Sequence, residues 1–141
     1  MSKLIYQDIH TNEFSDSEIW EAIRSNDVES LTLIPLKLAF CHDNWRFVQD
    51  IGVQLSDHDN ENVRGNAVRS FAYTAMNHGR VEKRVVKPVL LRALKDNSDW
   101  VKACAQETID DVNRFMGWRI GTAKETKAKE KRYAARRGQG N

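Results

Sequence analysis

Cys41, His42 and Asp43 stand in a row, and these are the residue types of a nucleophilic or metal-binding cluster. Consecutive helical positions point in different directions, so the three do not converge, and a core Cys with a capping Asp accounts for them. His58, flanked by Asp57 and Asp59, is a candidate general base, but the polar run Ser56 to Asn62 around it reads as a loop. Asp110 and Asp111 are adjacent carboxylates on a helical stretch, where neighbours diverge, so they read as a solvated face. His10, His42, His58 and His78 show no helical zinc spacing, and Cys41 and Cys104 form no CxxC. Gly117 and Gly121 lack the strand-to-helix context of a phosphate loop. No catalytic residue, metal or cofactor is therefore expected, and the chain is not read as an enzyme.

The elements that position the remaining candidates are helices. The 141 residues fit one domain, 40% are hydrophobic and 30% charged, and only two prolines and seven glycines punctuate the chain. Two unpaired cysteines and an N-terminus without an apolar stretch fit a reducing cytoplasm, and no apolar run reaches the ~20 residues of a membrane span.

Charge is unevenly spread. Residues 1–60 carry four basic against eleven acidic side chains, a net −7; residues 61–118 carry +3 and residues 119–141 carry +6. An acidic first half attracts a basic partner, and Asp8, Glu13, Asp16, Glu18, Glu21, Asp27 and Glu29 are the candidate contacts. The alternative is an anion- or nucleic-acid-binding surface built from Arg64, Arg69, Arg80, Lys83, Arg84, Lys87, Arg92 and Lys102, with the tail.

Apolar spacing of three and four predicts six helices and no strand. Ser15 and Glu18 form a capping box ahead of Ile19, Trp20 and Ile23. Asp27 caps a second block carrying Leu31, Ile34 and Leu38, with Pro35 inside it as a kink or delayed start. Asp43 is the expected cap for Trp45, Val48, Ile51, Gly52 and Leu55. Val63, Ala67, Phe71 and Ala75 follow at strict intervals of four, up to a stop at Gly79. Val85, Val86, Val89, Leu90, Ala93 and Leu94 make the fifth block, and Val101, Ala105, Thr108, Val112 and Phe115 the sixth, which Gly117 ends. Residues 119–141 read as a basic tail, a frayed helix from about Ala123 to Arg137 without an apolar face, or disordered. Trp45 and Trp100, each after an Asp-containing turn, are expected to pack between helical units.

Self-comparison reveals a repeat. Asn62-Val-Arg-Gly-Asn-Ala67 aligns with Trp100-Val-Lys-Ala-Cys-Ala105, 38 positions later, and each copy follows an Asp-bearing turn. The basic residue beside the Val falls in the first turn of its helix, where it can pair with the Asp-rich loop of its own or an adjacent unit. Pro35 to Asn44 echoes Pro88 to Asn97. These stretches, above all Pro88-Val-Leu-Leu-Arg-Ala-Leu, Asp96, Val101-Lys102 and Ala105, resemble HEAT repeats. The resemblance implies an all-α fold: a short right-handed α-solenoid of three hairpins at about 15–41, 45–77 and 81–116, making one domain over 1–118 with the tail beyond it. In size and repeat type the chain is similar to HEAT-like immunity proteins of bacterial contact-dependent inhibition systems. Against this background the expected role is non-enzymatic protein binding, most concretely inhibition of a basic toxin nuclease. A nucleic-acid-binding module and a repeat adaptor are the alternatives, and neither a membrane nor a small-molecule substrate is expected as partner.

Overall fold

Side-chain caps set the ends of most helices. The computed structural model describes residues 14–139. Helix α1 (Asp16–Ser25) begins at Ser15, whose hydroxyl accepts from the Glu18 amide while the Glu18 carboxylate accepts from the Ser15 amide. Helix α2 (Val28–Cys41) is capped by Asp27, which accepts from the Ser30 amide, and runs through Pro35. Helix α3 (Trp45–Leu55) starts at Asn44, whose Oδ1 accepts from the amides of Arg46 and Phe47. The cap is therefore one residue later than Asp43, and Asp43 is exposed. Asn60 caps α4 (Glu61–His78) in the same way. Helix α5 (Lys83–Ala93) contains Pro88 in its interior, and α6 (Asp99–Met116) is capped by Ser98. Helix α7 (Ala123–Gln139) completes an all-α chain with no strand among the described residues. Gly79 and Gly117 end α4 and α6 in the left-handed region, at φ 66° and 68°, where a Cβ is disfavoured.

Each helix from α1 to α6 touches the next one along the chain; α4 also packs on α2 and α6, and α3 touches α5. Among the described residues, α7 forms no extended contact with any other helix. Helix α4 is shared by two hydrophobic clusters. Its Val63 and Ala67 close a first-half core with Ile19, Leu31, Ile34, Leu38, Val48 and Ile51. Its Val68, Phe71 and Ala75 close a second-half core with Val86, Leu90, Val101, Ile109 and Val112. The apolar periodicity is confirmed at these positions, but Trp20 is 50% exposed and Phe115 45%, so neither belongs to the buried stripe assigned from spacing.

Small residues set the closest helix approaches. A Cβ on Gly52 would lie 2.8 Å from Ser70 Oγ and 2.9 Å from Phe71 Cε1, so α3 meets α4 backbone to side chain. A Cβ on Gly65 would lie 2.5 Å from Trp100 Nε1 and 3.2 Å from Cys104 Sγ. A glycine there weakens an isolated helix by ~1 kcal/mol relative to Ala, yet it admits the indole of Trp100 across α4. Gly65→Ala is expected to destabilise the protein by about 1–2 kcal/mol despite its better helix propensity. In a Trp100→Ala background the same change is expected to become neutral or stabilising by up to ~1 kcal/mol, and chemical denaturation of the four variants checks the reversal of sign.

Candidate functional site

The acidic end is built by the caps of α1 and α2. Glu18, Glu21 and Asp27 line a groove of about 520 Å³ together with Phe14. Three of the seven acidic candidates thus meet at one place. Their carboxylates also have local roles: Glu18 closes the capping box, Asp27 accepts from the Ser30 hydroxyl at 2.8 Å, and Glu21 pairs with Arg24. Glu29 is exposed in the first turn of α2, outside the groove. Asp16 faces away from it, towards His42, while Asp8 and Glu13 lie outside the described residues. Phe14 was missed in the sequence; its position one residue before the Ser15 cap, the place of a hydrophobic staple, is the signal that identifies it.

A second feature adjoins the acidic end. The exposed Trp20 ring meets Phe47 of α3 edge-on at 6.1 Å, and Phe47 lies against His42 at 4.8 Å. His42 Nδ1 accepts from the Asn44 amide at 3.0 Å, which leaves the proton on Nε2 to donate to Asp16 Oδ1 at 3.3 Å. The Cys41-His42-Asp43 run is therefore divided, as adjacency predicts: the imidazole pins the start of α3 to the start of α1, and the Asp43 side chain is turned to solvent.

The turns after α3 and α5 form a cleft of about 820 Å³ between residues 56–61 and 89–97. At its centre Arg64 holds Asp96 through two hydrogen bonds of 3.0 Å, and donates to the carbonyls of His58 and Asp59 at 3.0 and 2.8 Å. The basic residue beside Val63 thus pairs with both the loop before its own helix and Asp96 of the turn before α6. The hydrogen bonds from Arg64 and Ser98 hold the Asp96 carboxyl below its ordinary range. His58 is used as His42 is: Nδ1 accepts from the Asn60 amide and Nε2 donates to Asn26 Oδ1 at 2.6 Å. A loop residue with a structural task, it ties this turn to the preceding one.

The basic candidates are dispersed. Arg64 is consumed as just described, and Lys87 reaches Glu125 of α7 at 2.8 Å. Arg69 donates to Tyr73 Oη at 3.2 Å and lies 6.0 Å from the Trp100 ring. Arg92 bonds Ser56 Oγ at 3.2 Å, and Lys102 is 3.7 Å from Asp99. Arg80, Lys83 and Arg84 are exposed together at the entry to α5. Of the tryptophans, Trp45 is half-buried, whereas Trp100 is 44% exposed with one edge packed on Gly65. Cys104 is buried, and burial pushes its thiol up to about 11, which leaves it unreactive at neutral pH.

No protein-family model, curated protein or solved structure matches the chain.

Proposed function

We propose that this chain is a non-enzymatic protein-binding module: a short right-handed α-solenoid of three HEAT-like hairpins, α1/α2, α3/α4 and α5/α6, followed by a basic C-terminal tail. The order of helix contacts supports the repeat reading, as does the Arg64–Asp96 pair between adjacent turns. The observation that carries the binding reading is the acidic groove between α1 and α2, open to solvent and set in a region of net charge −7. The exposed Trp20, one helical turn from Asp16, supplies an aromatic anchor of the kind that concentrates binding energy at interfaces. A basic protein fits this end, and complementary charge speeds its capture. In its most concrete form the module is an immunity protein that neutralises a basic toxin nuclease in the cytoplasm.

The test leaves the capping carboxylates untouched. The wild-type chain and a Glu21→Lys/Glu29→Lys variant are immobilised and exposed to host extract, and the retained proteins are identified. The wild type is expected to retain a basic protein whose capture falls at least tenfold in the variant and weakens with added salt. If that protein is a nuclease, the wild-type chain is expected to inhibit it. Equal capture by both chains would remove the charge-based reading.

A further inference from the structure

We propose that the entry to α5 and one face of α7 together form a second surface, one that binds the phosphate backbone of a nucleic acid. Arg80, Lys83 and Arg84 are all exposed, and the acidic side chain among them, Glu82, is turned to Gln49 and Arg46. From that patch Lys87 reaches Glu125 Oε1 at 2.8 Å, and Lys129 of α7 reaches the same oxygen at 3.2 Å. Two ammonium groups thus converge on one carboxylate oxygen, which fastens a basic helix to a basic patch.

Beyond that contact, Lys129, Arg132 and Arg136 follow Glu125 at intervals of four, three and four, so they share the face that begins at Lys87. The stripe from Lys129 to Arg136 is about 10 Å long at 1.5 Å per residue, enough to face successive phosphates of one strand. All three side chains are exposed, as is Tyr133 beside them, and among the described residues α7 has no extended packing against another helix. Gathering like charges costs electrostatic free energy in the free protein, and a polyanion reverses that cost by releasing its counterions. A membrane surface is the poorer fit. An interfacial helix needs a face of large apolar residues, and α7 offers Tyr133 and small alanines. The surface lies in α5 and α7, so it is independent of the acidic groove.

The experiment uses the full chain with fluorescently labelled 20-nucleotide probes: single-stranded DNA, duplex DNA and RNA. Anisotropy is read at 50, 100 and 200 mM NaCl, alongside sedimentation with phosphatidylserine vesicles. Binding to a nucleic-acid probe is expected at 50 mM salt, with little sequence preference. Lys83→Glu/Arg84→Glu and Arg132→Glu/Arg136→Glu are each expected to weaken it at least tenfold. Each is also expected to lower the slope of log K against log salt by about two, roughly one per lost phosphate contact. These side chains are exposed, so the variants are expected to keep the wild-type helical spectrum and melting temperature. No nucleic-acid binding at 50 mM, binding unchanged in both variants, or binding to vesicles alone would overturn the proposal.

Discussion

Phe71→Ala is expected to destabilise the protein by about 3–5 kcal/mol, a large share of the 5–15 kcal/mol typical of a domain. The ring is completely buried, and it sits in the second-half core where α4 meets α3. Its Cε1 lies against the Gly52 backbone, so the side chain can be removed but the surrounding helices cannot close over the space. The hole therefore keeps most of its volume, and the cost falls at the upper end of the range for large-to-small changes. Urea unfolding checks this: the midpoint is expected to fall while the denaturant slope stays constant. The neighbour offers a control. Gly52→Ala introduces a Cβ that crowds Phe71 in the wild type, and it is expected to cost less in the Phe71→Ala background, where that Cβ enters the vacated space.

Arg64→Ala is expected to cost about 2–3 kcal/mol, because the change strands Asp96 and two loop carbonyls at once. Both side chains are only 15% exposed, so the pair is poorly screened by solvent. Arg64→Lys is not expected to restore the loss, since an ammonium cannot reproduce the planar fork that grips both carboxylate oxygens. The same pair gives a pH signature. The Asp96 carboxyl is held below its ordinary value of 3.8 in the folded chain, chiefly by the Arg64 hydrogen bonds. Its contribution is thus fully present above the unfolded value and is lost as pH falls through the folded one. Thermal melts between pH 6 and pH 2.5 are expected to show wild-type stability falling below about pH 4, with a shallower fall in Asp96→Asn. A parallel decline in the two proteins would show that the pair carries no such linkage.

Much of the fold is legible in the sequence because its determinants are local. The Ser15–Glu18 box, the Asp27 cap, the stop at Gly79 and the interval-of-four stripe Val63, Ala67, Phe71 and Ala75 need only neighbouring residues. The helix boundaries expected at about 15–41, 45–77 and 81–116 are matched within a few residues by α1 with α2, α3 with α4 and α5 with α6. Asp43 misleads because Asp and Asn both suit a helix start, and His42 decides between them by accepting from the Asn44 amide. Gly65 reads as a weakness until Trp100, 35 residues away, is seen to lie on it. The candidate sites are less legible, since acidic side chains have the same composition whether they cap, pair or stay free. Glu18 and Asp27 are identifiable as caps from spacing alone, but their meeting in one groove depends on how α1 packs on α2. On the basic side, nothing near Arg64 in sequence distinguishes its fixed guanidinium from the exposed ones of Arg80 and Arg84; its partner Asp96 lies 32 residues on.

Because α4 contributes Val63 and Ala67 to one cluster and Val68, Phe71 and Ala75 to the other, no cut divides this protein into two self-sufficient pieces. A fragment ending before α4 would leave Ile19, Ile34 and Ile51 facing water, and one beginning after it would do the same to Val86, Leu90 and Val112. The wall belongs to both rooms, so a proteolytic cut within α4 is expected to dismantle both cores together.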